Sequence, residues 1–238
     1  MSTAAARADL EPDSPFDLDE VNRKLEGARA EDILRWSVDH FAPDRFAQVS
    51  AFGPGSAVLI HMLVDIAPDL PVIFIDTLHH FPETLEHMER VRDRYNLNLQ
   101  IYRPAATREE FEAKYGDKLW EHDLARYQQV AKVEPFLEAT KNLDGWITGR
   151  RRDQAKTRTM LLPVESGEKL RVNPLVHWSR GEIWRYILDN ELPYNPLHDK
   201  GYTSIGDEPL TTPVASDEDE RAGRWRGAAI TECGIHLV

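Results

Sequence analysis

Short apolar runs alternate with longer amphipathic stretches along the middle of this chain. Strands are predicted at residues 46–50, 72–75 and 99–102, and a strand followed by a turn is predicted at residues 146–149. The run at 72–75 is apolar without interruption, as expected of a parallel strand that is covered on both faces.

Helical patterns lie between and around these strands. Residues 18–40 are amphipathic, residues 56–67 are almost entirely apolar and predict a buried helix, and Pro82 marks the first turn of another helix. Two capping boxes predict further helix starts: Thr107 with Glu110, and Ser179 with Glu182. Strands that alternate with helices predict the α/β fold class, with a mostly parallel sheet and helices on both faces. Such sheets bind ligands at the carboxyl ends of their strands.

The regular pattern stops before either end of the chain. Residues 1–20 are rich in Ala, Asp, Glu and Pro and are predicted to be a disordered lead-in. Residues 21–200 form the predicted α/β domain. Residues 201–238 contain scattered Gly and Pro and an acidic run, so they predict a mobile tail that folds over the ligand face of the sheet.

Composition and charge exclude several classes of function. The 238-residue chain has 29 basic and 41 acidic residues and a formal net charge of −12, which argues against non-specific nucleic-acid binding. No apolar run approaches the ~20 residues that span a bilayer. The chain has one cysteine and no signal-peptide pattern, which fits a reducing cytoplasm. One cysteine also excludes an internal disulfide and a multi-cysteine metal site, and no metal is expected.

The loop at residues 50–56 is the first candidate for ligand chemistry. It connects a predicted strand to a helix, and its glycines, among them Gly53, would let the backbone approach an anion. Ser50 begins the loop. A helix N-terminus also offers unpaired N–H groups and the positive end of its dipole. The alternative is an ordinary Gly/Pro turn.

A cluster of cations at residues 150–158 is the second candidate, and it follows Gly149 directly after a predicted strand. Arginine binds phosphate or sulfate oxygens with two parallel hydrogen bonds, so this cluster predicts an anion site. The alternative is a solvated run of charge. The cations are Arg150, Arg151, Arg152, Lys156 and Arg158.

The tail carries a third candidate group. Arg221 and Arg224 are three residues apart and precede the single cysteine, Cys233. Neighbouring cations lower the pKa of a thiol, and the thiolate is the reactive form. His236 is a candidate for substrate contact or proton balance. The alternatives are a bystander cysteine and an incidental histidine.

Short segments spread along the chain share one further property. They are residues 50–53, 75–77, 81–84, 132–135, 147–154, 172–175, 194–198, 201–206, 220–225 and 232–236. In this order, from about residue 45 to the C-terminus, they resemble the sulfonucleotide reductases, the family of phosphoadenylyl-sulfate (PAPS) and adenylyl-sulfate (APS) reductases.

The resemblance implies an adenine-nucleotide hydrolase-like fold with a modified PP-loop. Phe52 and Gly55 stand where the ATP-cleaving relatives have the first Gly and the Asp of that loop. Nucleotide binding without ATP cleavage is therefore expected. By position, the residues that would hold the nucleotide and sulfate are the Ser50 loop with Phe52 and Gly53, Thr77, Lys132, Gly149, Arg151, Arg152, Arg158, Arg221, Arg224 and His236.

The APS-reducing branch carries a [4Fe–4S] cluster on four cysteines. Those positions fall on Tyr127, Gln128, Asp207 and Leu210 in this chain, so no bound cofactor is expected and the cluster-free PAPS type is favoured. The segments 208–209 and 212–214 nevertheless keep the sequence of the cluster-bearing type. The preference for a 3′-phosphate therefore rests on mixed signals.

The implied reaction belongs to assimilatory sulfate reduction. The thiolate of Cys233 would attack the sulfur of PAPS, release adenosine 3′,5′-bisphosphate and leave an S-sulfocysteine. Because the chain has no second cysteine, thioredoxin or glutaredoxin would act as the external reductant that frees sulfite. A homodimer is also expected. The alternatives are an APS reductase that releases AMP, an ATP-using adenylating or thiolation enzyme, and a non-enzymatic nucleotide-binding regulator.

Overall fold

The computed structural model of the chain describes residues 16–215, 219–225 and 234–236. The strands are β1 (Phe46–Val49), β2 (Val72–Ile75), β3 (Leu99–Tyr102), β4 (Gly145–Ile147), β5 (Val164–Glu165) and β6 (Leu170–Val172). The α-helices in the described part are α1 (Leu18–Leu25), α2 (Ala30–His40), α3 (Pro54–Ile66), α4 (Pro82–Tyr95), α5 (Arg108–Tyr115), α6 (Leu119–His122), α7 (Leu124–Gln128), α8 (Glu134–Thr140) and α9 (Arg180–Asp189).

The strands form one six-stranded sheet in the order β3-β2-β1-β4-β6-β5. All neighbouring strands are parallel except β5 and β6, which pair antiparallel. The order reverses between β1 and β4, which makes this the topological switch point where α/β sheets bind ligands. The predicted fold class is confirmed.

Successive strand residues point to opposite sides of the sheet, and helices cover both faces. On one face, Ala47 and Ile73 pack with Phe136 of α8. On the other face, Phe74 packs with Met88 of α4. The strands are therefore buried on both sides, as the uninterrupted apolar run of β2 predicts.

Two segments position the ligand end of the sheet. The loop after β1 leads into α3, with Pro54 at the first helical turn. A Cβ added to Gly55 would lie 3.1 Å from the carbonyl oxygen of Gly149, so glycine permits the loops after β1 and β4 to touch. A π-helical turn at Gln129–Val133 joins α7 to α8 and carries Lys132. Such turns are frequent at functional sites.

The structure differs from the predicted layout at the N-terminal end. The helical pattern at residues 18–40 is split into α1 and α2, because Glu26 is extended and Gly27 adopts a φ of 76°. Ordered packing begins before residue 20, the predicted end of the lead-in, since the ring of Phe16 lies 5.6 Å from that of Trp36. Residues 1–15 lie outside the described part of the chain. The short strands β5 and β6 were not predicted, since neither is long enough to show a period.

The C-terminal segment packs against the α/β domain, so the predicted boundary at residue 201 does not separate two packing units. Asp207 and Trp225 are buried. The backbone N–H of Glu208 donates to the carbonyl of His79 at 2.8 Å. The mobility of this tail stays a prediction. None of the helices in the described ranges is long and apolar enough to cross a membrane.

Candidate functional site

A cavity of about 240 Å³ opens at the carboxyl ends of β1, β2 and β4. Residues 203–206, 220, 221 and 224 of the C-terminal segment form its other wall. The cavity brings together most of the residues predicted to bind substrate, although they are far apart in the sequence. The predicted residues that line it are Ser50, Gly53, Thr77, Lys132, Gly149, Arg151, Arg158, Arg221 and Arg224.

The loop after β1 is held by its own serine. The Ser50 Oγ accepts a hydrogen bond from the backbone N–H of Phe52 at 3.0 Å, and Phe52 adopts a left-handed φ of 52°. The Phe52 ring packs edge-to-face on Phe74, 5.5 Å away, inside the core. The Phe52 side chain is therefore not among the residues that line the cavity, and substrate contact by Phe52 stays a prediction.

In the loop after β4, Arg150 and Arg151 line the cavity and are also held by ion pairs within the fold. Arg150 donates to the carboxylate of Glu165, and Thr148 donates to Asn173 at 2.7 Å, so this part of the loop is fixed from behind. Burial lowers the pKa of Arg150 despite the Glu165 charge. Arg151, with a side chain 2% exposed, donates to Asp153 at 2.8 Å and to Glu220 at 2.9 Å.

Arg152, which is also predicted to bind substrate, is not among the residues that line the cavity. Its guanidinium donates to the carbonyl of Leu161 at 2.7 Å and to the carboxylate of Glu26 at 2.8 and 3.1 Å. The hydrogen bond from Arg152 lowers the pKa of Glu26. Arg151 is extended and Arg152 begins a 3-10 turn, and of these two arginines Arg151 lines the cavity.

A buried ion pair that the sequence did not indicate lies behind the cavity wall. The Lys132 Nζ lies 2.6 Å from an oxygen of Asp207, whose side chain is fully buried. Thr77 donates to the other carboxylate oxygen at 2.8 Å. Burial would raise the pKa of this carboxyl, but the attraction of Lys132 and His80 and the hydrogen bonds outweigh burial and hold the pKa below its usual range. Asp207 therefore orients two cavity residues at once.

The positions that align with the cluster cysteines do not fit an iron–sulfur cluster. Four thiolates are required, and the chain contains one cysteine. Tyr127 is buried in an apolar cluster against which Leu210 packs, and Asp207 is committed to Lys132. Within the described residues, no group of three or more His, Cys, Asp or Glu side chains could hold a metal ion.

The C-terminal arginines reach the cavity from a separate segment. The Arg224 guanidinium donates to the carbonyl of Ile205 at 3.1 Å and stacks over the buried ring of Trp225, 4.5 Å from its centroid. A Cβ at Gly206 would collide with this guanidinium, so glycine leaves room for Arg224 in its present position. Trp225 donates its backbone N–H to Leu210 at 2.9 Å, which fixes the segment on the domain.

Cys233, the predicted nucleophile, lies outside the described residues. The neighbouring turn Gly234–His236 is described, and Ile235 lines the cavity and packs on the cluster of Ala47 and Ile73. The role of His236 stays a prediction.

A mostly parallel sheet with an arginine-rich cavity at its switch point is typical of α/β proteins that bind anionic ligands. The protein-family model of the phosphoadenosine phosphosulfate reductase domain matches residues 45–213 of the sequence. The chain belongs to this family, the sulfonucleotide reductases.

Relatives and solved structures agree with this assignment. The chain is 43% identical over 227 residues to the phosphoadenosine phosphosulfate reductase of Emericella nidulans, covering 91% of this chain and 74% of the relative. It is 42% identical over 223 residues to the adenosine 5′-phosphosulfate reductase of Halalkalibacterium halodurans, covering 92% and 96%.

A crystal structure of PAPS reductase from Candida auris, in complex with phosphate, superposes with a TM-score of 0.77 and 36% identity. It covers 86% of this chain and 99% of that one. The FMN adenylyltransferase of Candida glabrata, in complex with FAD and pyrophosphate, is 19% identical with a TM-score of 0.58 and shares the fold. That match covers 94% of this chain and 81% of the adenylyltransferase.

Proposed function

We propose that this chain is a thioredoxin-dependent PAPS reductase that releases sulfite and adenosine 3′,5′-bisphosphate. The cavity carries the proposal, because it gathers cations from the β4 loop, the π-helical turn and the C-terminal segment at the switch point of the sheet. Convergent cations can bind the phosphate and sulfate of a sulfonucleotide and can stabilise the charge that develops on the departing phosphate.

The proposed chemistry proceeds in two thiol steps. The Cys233 thiolate attacks the sulfur of PAPS, the S–O bond to the phosphate breaks, and the nucleotide leaves with that electron pair. A thiolate of thioredoxin or glutaredoxin then attacks the sulfur of Cys233, which releases sulfite and forms a mixed disulfide. The second thiol of the reductant resolves this disulfide, so the dithiol supplies both electrons. Ile235, two residues after Cys233 in sequence, lines the cavity.

The experiment that tests this function is replacement of the single cysteine. Cys233→Ser should bind adenosine 3′,5′-bisphosphate like the wild type but form no sulfite from PAPS with excess thioredoxin. Sulfite formation above a few per cent of the wild-type rate would contradict the covalent mechanism. The same purified wild-type protein should contain no iron when analysed after anaerobic preparation.

An APS reductase that releases AMP is the second candidate, and specific relatives favour it. Several bacterial relatives, such as those of Halalkalibacterium halodurans and Bacillus subtilis, are named for APS. Side-by-side kinetics with PAPS and APS distinguish the two candidates. We further propose that the protein acts in the cytoplasm and forms a homodimer, which fractionation and light scattering would test.

A further inference from the structure

The cavity wall contains one acidic side chain among its described residues. Lysine and arginine side chains dominate the charged groups that line it, and the carboxylate of Glu220 lies among them. Its side chain is 18% exposed, so it is partly withdrawn from solvent. A carboxylate in an anion site repels the bound anion, so its presence in the cavity wall calls for an explanation.

Glu220 is paired with a cation whose position is already fixed. The Glu220 Oε2 accepts from Arg151 Nη2 at 2.9 Å. Arg151 is also held by Asp153 at 2.8 Å, and Asp153 in turn accepts from the backbone N–H of Arg180 at 2.6 Å, at the start of α9. Because Asp153 already anchors Arg151, Glu220 is not needed to place the guanidinium. The two carboxylates also differ in location, since Glu220 lines the cavity and Asp153 does not.

The backbone of Glu220 is anchored as well. Its carbonyl accepts a hydrogen bond from the Thr203 hydroxyl at 2.6 Å. Thr203 lines the same cavity, and so does Arg221, the next residue in sequence. The carboxylate is therefore held at the ligand site by the fold and does not depend on Arg151 alone for its position.

We propose that Glu220 is a specificity-determining residue that limits how strongly the site favours highly charged nucleotides. This proposal rests on the proposed function. Glu220 offsets the positive charge of Arg151, and it repels a bound anion in proportion to the charge of that anion. A 3′-phosphate adds about two negative charges near neutral pH. The carboxylate therefore weakens binding of adenosine 3′,5′-bisphosphate more than binding of AMP.

The test is the isosteric variant Glu220→Gln, studied by calorimetric titration with three probes: inorganic pyrophosphate, AMP and adenosine 3′,5′-bisphosphate. The glutamine amide oxygen can still accept from Arg151, so only the charge is removed. Affinity for the bisphosphate should rise about tenfold and affinity for AMP about threefold, which corresponds to Coulomb energies well screened by water. Pyrophosphate should also bind more tightly. The gain should shrink from about 0.1 M to about 1 M salt, where the Debye length falls from about 10 Å to about 3 Å.

Two matched variants separate charge from geometry and from net charge. Glu220→Asp keeps the charge and should keep the wild-type ratio of the two nucleotide affinities. Asp144→Asn removes one acidic charge from an ion pair just before β4, at the opposite end of the sheet, and should leave that ratio unchanged.

Several outcomes would overturn the inference. They are an unchanged ratio in Glu220→Gln, an equal weakening of all three probes, and the same altered ratio in Glu220→Asp. Failure of the proposed function would look different. The wild type would then bind neither nucleotide. Tighter binding of pyrophosphate by Glu220→Gln would still support the charge effect, and unchanged binding of pyrophosphate would refute it.

Discussion

The two ends of the sheet carry ion pairs of opposite character. Just before β1 and β4, Arg45 pairs with Asp144, and their side chains are 50% and 46% exposed. At the carboxyl ends of the strands, Lys132 pairs with Asp207 at 2.6 Å, and these side chains are 8% and 0% exposed. The same sheet therefore leaves charge in water at one end and buries it at the other.

The comparison shows that charged side chains are buried, at a cost in free energy, at the end of the sheet that carries the cavity. An exposed pair contributes about 0–1 kcal/mol because water screens it. A buried pair gains little net stability, yet loss of one partner leaves an uncompensated charge in the interior. Buried titratable groups with shifted pKa values are typical of functional sites. The buried pair lies behind the cavity and orients two of its residues, whereas the exposed pair lies where no predicted site residue is found.

The largest expected effect comes from removing one acid at each end. Asp207→Ala should lower the free energy of unfolding by about 3–5 kcal/mol, because Lys132 is left buried without a counter-charge. Asp144→Ala should lower it by about 0–1 kcal/mol. Urea denaturation of both variants measures the contrast, and equal losses would show that the two pairs do not differ as their burial indicates.

Acid should weaken the carboxyl end through its buried histidines. Burial, with smaller contributions from Arg90 and His198, lowers the pKa of His87 to about 4 from 6.5. The folded state therefore favours the neutral ring, and its contribution is full above pH 6.5 and is lost as pH falls toward 4. The loss amounts to about 3 kcal/mol. Burial lowers the pKa values of His79, His80 and His198 in the same direction.

The measurement is the free energy of unfolding between pH 7 and pH 4. His87→Gln should show a shallower dependence than the wild type, because glutamine does not titrate. Parallel curves for the two proteins would mean that His87 is not held neutral by its surroundings.

The sequence predicted the parts of the molecule that depend on local patterns. β2 and β3 have their predicted bounds, β1 ends one residue earlier than predicted, and Ser179 and Glu182 form a capping box in both directions. The family resemblance added Thr77 and Lys132, which line the cavity. Ser50 and Arg151 were indicated by their position after a strand.

The missed residues depend on pairing across the chain. Asp207 meets Thr77 across 130 residues, and Glu220 meets Arg151 across 69. No local pattern indicates which acid will face which cation, because that is decided by tertiary packing. The direction of Arg152 was missed for the same reason, since its partner Glu26 lies 126 residues away.

The smallest and most selective effect separates two neighbouring arginines of the β4 loop. The sequence predicts that Arg151 and Arg152 both hold the nucleotide and sulfate. In the structure Arg151 lines the cavity, whereas Arg152 pairs with Glu26 on the surface. Arg151→Ala should lower kcat/KM for PAPS about tenfold or more, and more than for APS, because a charge-assisted contact of about 1.5–3 kcal/mol is lost. Arg152→Ala should change kcat/KM less than about threefold, as expected for a partly exposed ion pair. Steady-state kinetics with both nucleotides and thioredoxin measures these values. Equal losses in the two variants would place both guanidinium groups at the substrate and contradict the division of the loop between cavity and surface.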